Sequence, residues 1–331
     1  MHLEAAARRG ALLLVLAVAL AAPALSAAQN PKVARIGLLS PDSTFADASP
    51  LLAAFRQGLA ERGYVEGRDV ELVRRDATGG RALFLGNALV SLGVDVIVAA
   101  STVGAQIARD ATSTIPIVFV GVSDPLGSGL LSSLDPPRGN NVAGLTDVDV
   151  RSSARSLELL KQAAPNVTRV ALLANPAAPL ASRYIAETEA RAAALGVRLH
   201  RRNVLEADEL PRVFAGIVSD YDEALVVLPD PLFNGQRAAL VAFAARQGLP
   251  AVYGYRAFAA AGGLMTYGTD LADVYRRAAG VVDRVLKGAA PGDLAIEAPT
   301  KFHLAINLKA ANRLRLTIPP SLRLQADQII P

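Results

Sequence analysis

A short apolar run recurs in this chain at a fixed offset, and the recurrence constrains the fold more than any single motif does. Arg35-Ile-Gly-Leu-Leu-Ser-Pro41 returns 134 residues later as Arg169-Val-Ala-Leu-Leu-Ala-Asn-Pro176. Each copy is too short for a helix and stops at small polar residues and a proline, the profile of a buried parallel strand that ends in a loop. The echo continues downstream in the same order. Ala60-Glu-Arg-Gly-Tyr-Val65 matches Ala193-Ala-Leu-Gly-Val197, a helix closed by glycine before a new strand. Val94-Asp-Val-Ile-Val-Ala-Ala-Ser-Thr102 matches Ala224-Leu-Val-Val-Leu-Pro-Asp-Pro231, and Ile115-Pro-Ile-Val-Phe-Val-Gly121 matches Leu249-Pro-Ala-Val-Tyr-Gly254. Pro116 and Pro250 keep the 134-residue spacing. The chain reads as two α/β units in tandem, with any site placed where the halves face each other.

In the first unit the pattern predicts strands at Val33–Leu39, Val70–Val73, Val94–Ala99, Ile117–Val122 and Val142–Leu145. Helices end near Arg62, cover about residues 80–92 and span Val103–Ala111, where Ser101 and Thr102 can cap the start. A further helix start is expected within Ser123–Ser128. The second unit alternates helices Ser152–Ala164, Ser182–Leu195, Ala207–Ser219 and Gly235–Gln247 with strands Val170–Leu173, Val197–Arg201, Ala224–Leu228 and Ala251–Tyr253. Strands separated by helices of this length give parallel sheets, because each crossover must be right-handed and cover a face. A tail follows with strand 262–268, helix Leu271–Leu286, strand Pro299–Asn307 and helix Leu308–Leu314. Elements left over after two complete units most simply return to them. Crossings near residues 146–151, 262–268 and 289–300 would then form a multi-strand hinge. The expected fold is α/β, two Rossmann-like lobes with parallel sheets. The first lobe takes 29–147 plus about 265–290, and the second takes 148–264 plus about 291–331.

Before the first strand, Arg8-Arg9 precede an apolar run from Ala11 to Ala22, then Pro23 and small residues up to Ala28. That is the layout of a secretory signal peptide over residues 1–28, cleaved after Ala28. The apolar run is shorter than the ~20 residues a spanning helix needs. The chain of 331 residues contains no cysteine, so it has no disulfide and no thiolate metal site. Export without disulfides fits a bacterial periplasm. Without residues 1–28 the chain keeps 32 basic and 29 acidic side chains, a charge of +3. No basic cluster lies beside aromatics, so nucleic acid is not an expected partner.

Chemistry finds little support. Beyond residue 28 the histidines are His200 and His303; the first sits in the basic run His200-Arg-Arg202, read as a solvated strand end, and the second in an apolar tail strand. There is no HExxH, CxxC or histidine cluster for a metal, no G-x-S-x-G elbow and no phosphate-binding P-loop. No catalytic residue, cofactor or metal is expected. Small polar residues instead gather at the carboxyl ends of the predicted strands, where open α/β sheets bind ligands. The candidates are Ser40, Ser101, Thr102, Ser123 and Asp124 in the first unit, and Asn175, Asp230, Tyr253 and Tyr255 in the second, with Tyr267 from the tail. Hydroxyls and helix N-termini suit a carboxylate, Asp124 and Asp230 suit an ammonium, and Phe45, Tyr253 and Tyr267 could form an apolar wall. Plainer roles remain open for each: a cap for Ser101 and Thr102, helix entries for Asp124-Pro125 and Asp230-Pro231, a turn for Asn175-Pro176, hinge packing for Tyr267.

Val33-Ala-Arg-Ile-Gly-Leu-Leu-Ser40, Phe55-Arg-Gln-Gly-Leu-Ala-Glu-Arg-Gly-Tyr-Val-Glu-Gly-Arg68, Ser113-Thr-Ile-Pro-Ile-Val-Phe-Val-Gly-Val-Ser-Asp-Pro125, Gly262-Gly-Leu-Met-Thr-Tyr-Gly268 and Pro299-Thr-Lys-Phe302 occur in this order. Together they resemble the ABC-transporter substrate-binding proteins of the kind that bind tryptophan or related aromatic amino acids, over about residues 33–330. The resemblance implies a type I periplasmic-binding-protein fold, whose lobes close over a small ligand. It also implies a receptor that captures an amino acid or similar carboxylate and delivers it to an inner-membrane permease with its ATPase. The receptor is expected to work as a monomer. The alternative is a sensor subunit that presents its ligand state to a membrane signalling protein. An exported enzyme using His303 or Asp124 ranks third.

Overall fold

The computed structural model describes residues 33–42, 44–76, 82–134 and 139–331. The expected signal peptide lies outside the described residues. Five strands form the first sheet: β1 (Ala34–Ser40), β2 (Val70–Asp76), β3 (Val96–Ala100), β4 (Ile117–Val120) and β5 (Val142–Leu145), all parallel, in the order β2-β1-β3-β4-β5. Helices α1 (Pro50–Ala60), α2 (Ala82–Ser91) and α3 (Ser101–Ala111) make the crossovers. The strands read as continuous apolar runs because both faces are covered. Alternate residues Ile36 and Leu38 pack with Phe55 and Leu59 of α1, whereas Leu39 and Ile97 pack with Leu89 of α2 and Ile107 of α3.

The second sheet repeats the topology. Helix α4 (Arg151–Ala163) leads into β6 (Arg169–Ala174), then α5 (Ala181–Ala194), β7 (Arg198–Asn203), α6 (Leu210–Ser219), β8 (Ala224–Val227), α7 (Pro231–Gly235), α8 (Arg237–Gln247) and β9 (Ala251–Tyr253). After α9 (Ala257–Ala260) comes β10 (Met265–Thr269), giving the order β7-β6-β8-β9-β10 of the first sheet over again. The sheet then departs from the repeat. β11 (Phe302–Asn307) lies antiparallel to β10, and β12 (Gln328–Ile330) extends it, so this sheet is mostly rather than wholly parallel. Helices α11 (Leu308–Arg313) and α12 (Pro320–Gln325) link β11 to the edge strand β12.

The expected helix start at Ser123–Ser128 is instead a run of bends and turns over residues 123–130. Pro125 withholds an N–H, and Gly129 takes a left-handed φ of 69°, a conformation that ends regular helix.

The tail helix α10 (Leu271–Leu286) leaves the second sheet and packs on the first. Val274, Ala278, Val281 and Val282 are all at most 1% exposed, in one cluster with Ile36, Leu38 and Phe55. The chain thus passes between the sheets at residues 146–150, at Asp270 and again after Glu297. Residues 262–268, expected to cross, lead into and form most of β10, which pairs with β9. The connections brace one another. Thr146 N–H donates to the Glu297 carbonyl (2.9 Å), the Thr269 hydroxyl to the Asp147 carbonyl (2.6 Å), and Asp270 N–H to the Lys301 carbonyl (3.0 Å). Arg277 and Arg284 of α10 hold the Glu297 carboxylate at 2.6 and 2.7 Å.

Candidate functional site

In each sheet the strand order reverses once, between β1 and β3 and between β6 and β8. Such switch points open a crevice at the carboxyl ends of the strands. Ser40 and Ser101 follow from the first, Asn175 and Asp230 from the second.

At the first edge the Ser40 side chain is fully buried, and its hydroxyl donates to Asp42 Oδ1 at 2.6 Å. Asp42 also accepts the Thr44 amide at 2.8 Å and the Thr44 hydroxyl. Burial pushes the Asp42 carboxyl up, but these bonds outweigh it and hold its pKa below the usual range. Ser101 stands differently. Its φ is +65°, a left-handed backbone that costs a side-chain-bearing residue about 1–3 kcal/mol and is retained chiefly at functional sites. Its Oγ is buried without a hydrogen-bond partner. Ser101 does not cap α3: Ala100 holds the cap position and no side chain bonds the first turn. Half-buried Thr102 belongs to the same turn. Unfilled N–H groups beside an unpartnered hydroxyl make an acceptor site for a carboxylate. The strain also gives a test. Ser101→Gly should raise thermal stability, by about 0.5–1 kcal/mol once the glycine's greater chain entropy is subtracted, while removing the hydroxyl. Asp124 closes its own turn, accepting the Gly127 amide at 2.8 Å.

At the second edge Asn175 and Asp230 come together. Asn175 Nδ2 donates to Asp230 Oδ2 at 3.2 Å, and its Oδ1 accepts the Ala177 amide at 3.0 Å. Asp230 Oδ1 caps α7 through the Leu232 amide at 2.7 Å. Asp230 is 5% exposed, and burial raises its carboxyl against those two bonds. Two of the tyrosines expected here, Tyr253 and Tyr267, lie elsewhere. Tyr253 is core, 1% exposed and stacked on Phe258 at 4.4 Å, beside a cavity of about 30 Å³ under Val241 and Leu314. Tyr267 stacks on Phe302 at 5.5 Å against the second sheet's core. Phe45 is fully buried and meets the Tyr275 ring edge-on at 5.9 Å. His303 pairs across from Gly268 in the β10–β11 ladder.

Between the two edges is a group that strand-end reasoning missed. Asp147 lies on the first crossing, and its charge is felt by Tyr184 of α5, Tyr255 after β9 and Tyr275 of α10. Tyr255 also feels Asp230, and Tyr275 also feels Asp42. Burial first, then those carboxylates, raise each phenol well above its ordinary pKa, so all three stay neutral. Tyr275 thus feels carboxylates of the first edge and of the crossing, and Tyr255 those of the crossing and of the second edge.

A family profile for the ABC transporter substrate binding protein matches residues 33–330. The chain belongs to the ABC transporter substrate-binding protein family. A curated relative, the tyrosine-binding protein of Clostridioides difficile, is 24% identical over 279 residues, covering 83% of this chain and 80% of that one. Among solved structures, the ABC domain from Streptococcus pneumoniae in complex with L-Trp is 26% identical, with a TM-score of 0.72 over 90% of this chain and 100% of that one. A conserved domain protein from Vibrio cholerae reaches 28% identity and 0.70 over the same shares. The ligand-free, open structure of a Clostridium difficile substrate-binding protein with adhesive properties has a TM-score of 0.75 at 22% identity. In this family member, among the described residues, no helix is long and apolar enough to cross a membrane, and no group of three His, Asp or Glu could hold a metal.

Proposed function

We propose that this family member is the periplasmic receptor of an ABC importer, exported by residues 1–28, which captures an amino acid or related small carboxylate between two lobes. The first lobe takes the chain up to about Thr146 together with about 270–297, and the second takes the rest. These limits fall a few residues later than the sequence pattern puts them, because Met265–Thr269 is a strand of the second sheet and Leu294 and Ile296 pack on the first. The observation that carries the reading is the pair of matching switch-point edges, one with the strained and unpartnered Ser101, the other with the Asn175–Asp230 pair. The relatives named for tyrosine and solved with L-Trp support the ligand class. Closure would move the equilibrium only by as much as the ligand prefers the closed state. The closed monomer would then present itself to a membrane permease, whose ATPase supplies the energy, while the receptor leaves its ligand chemically unchanged.

Calorimetric titration of the purified protein with L-tyrosine, L-tryptophan, the other standard amino acids and small carboxylates tests this. At least one should bind. Ser101→Ala should weaken it about tenfold or more, the loss of one good hydrogen bond to a charged group, and Asp230→Ala should weaken it by releasing Asn175 and the cap of α7 at the second edge. Unchanged affinity in both variants would discard the site.

A further inference from the structure

We infer that Asp147 is the residue that selects the ligand's charge: its carboxylate receives a primary ammonium group, so the solute is an amino acid and not a plain carboxylate. This rests on the receptor reading above and deepens it.

Asp147 is half-buried as a residue, and the geometry of its carboxylate is unusual for such an acid. Its Oδ1 is buried with no hydrogen-bond partner. The carbonyl of the same residue is pinned by the Thr269 hydroxyl at 2.6 Å, so the side chain leaves a fixed point where two crossings meet. It faces the end of β4, where a side chain added at Gly121 would stand 4.0 Å from the Asp147 Cβ. The Ser123 hydroxyl and Asp147's own amide moderate the charge, but burial outweighs both and the carboxyl is raised. No arginine, lysine or histidine among the described residues contributes to its environment. A buried carboxylate without a cation is costly and is rarely kept without a use.

The neighbouring acids show the contrast. Asp42 turns its Oδ1 to Ser40 and Thr44, Asp124 turns its Oδ1 to the Gly127 amide, Asp149 is paired with Arg151 at 2.6 Å, and both oxygens of Asp230 are engaged. Asp230, an acid that strand ends point to for an ammonium, is therefore already in use and Asp124 is committed to its own turn through one oxygen, whereas Asp147 keeps an unpartnered acceptor where the crossings meet. Tyr184, Tyr255 and Tyr275, which feel its charge, stay neutral. Aromatic faces and one desolvated carboxylate are a fitting lining for a small cation. A metal ion would need more carboxylate or imidazole ligands than the described residues bring together.

The test compares wild type with Asp147→Asn, which keeps the shape and removes the charge. Without ligand, Asp147→Asn should melt at least ~2 °C higher at neutral pH, because an uncompensated buried charge is gone; a residue kept for structure would melt lower. Calorimetry then uses L-tyrosine, L-tryptophan and the other standard L-amino acids, each beside its des-amino acid (hydroxyphenylpropionate, indolepropionate and so on). The amino acid that binds wild type should lose about 100-fold or more in Asp147→Asn. Its des-amino acid should bind wild type at least as poorly, and should bind Asp147→Asn no worse than wild type. If wild type holds the des-amino acid as tightly as the amino acid, or the variant keeps amino-acid affinity within about threefold, the inference is overturned and the receptor reading stands. If neither series binds wild type, the receptor reading for small carboxylates falls, and this inference with it.

Discussion

Gly58→Leu should destabilise the protein by about 3 kcal/mol or more, measured as a drop in the urea midpoint of unfolding, through overpacking and the unpacking that follows. Gly58 lies in α1 where α10 crosses it. A Cβ at that position would sit 2.1 Å from the Arg276 carbonyl oxygen and 2.9 Å from the Ala279 Cβ. The nearest atom belongs to the backbone, so no rotamer change relieves the clash and the helices must separate. Separation exposes Val274, Ala278 and Val282, now at most 1% exposed, and undoes the Arg276–Glu61 pair at 3.0 Å. Gly63 is the control. It has a φ of 87° and no atom within 4 Å of an added Cβ, so Gly63→Ala should cost only backbone strain, about 1 kcal/mol. If Gly58→Ala lies within about 0.5 kcal/mol of wild type, close packing of α10 does not hold the first lobe together.

That helix also shows how far patterns reach. Leu271–Leu286 carries apolar residues at helical spacing, and its limits follow from Asp270 as cap and Gly288 beyond the end. The alternating units were equally legible, since parallel strands buried on both faces leave continuous apolar runs. What periodicity does not encode is which sheet a segment joins. Met265–Thr269 reads as a strand on either side of a hinge; only pairing with β9 and β11 decides it. The short β12 has no signal of its own, because its Ile329 is half out in solvent at 39% exposure and its strand character comes from β11.

Candidate residues divide in the same way. Ser40, Ser101, Asn175 and Asp230 could be placed because strand ends are local and the switch-point rule is general. Asp147 and Tyr275 could not, because their importance depends on crossings that bring tail and middle together. Asp147 follows β5 directly, and extending strand-end reasoning to that strand would have reached it. Tyr253 misleads for a physical reason. It too ends a strand, but Ala251 and Tyr253 share the face that packs against α8, and stacking on Phe258 keeps the ring inside.

Asp222→Ala should cost about 3 kcal/mol, the usual penalty for removing one partner of a buried charged group, although the sequence offers only a basic run, His200-Arg-Arg202, with the look of a solvated strand end. The Asp222 side chain is 0% exposed. Its Oδ1 lies 2.6 Å from His200 Nδ1 and its Oδ2 accepts from Arg202 at 2.7 Å, so edge strand β7 is tied to the turn that enters β8. Arg202, only 16% exposed, also reaches Asp220 at 2.7 Å and the Gly216 carbonyl at 3.3 Å. Losing Asp222 leaves His200 without that acceptor and Arg202 leaning on the half-exposed Asp220. Asp222→Asn keeps the volume and one acceptor and should cost less, about 1–2 kcal/mol. Urea melts of both variants give the order. Asp222 enters β8 at the end of that strand opposite Asp230, so amino-acid affinity should stay near wild type in both. An Asp222→Ala protein that melts like wild type would mean the His200-Arg-Arg202 run is solvated in solution, and that β7 is held by its ladder to β6 alone.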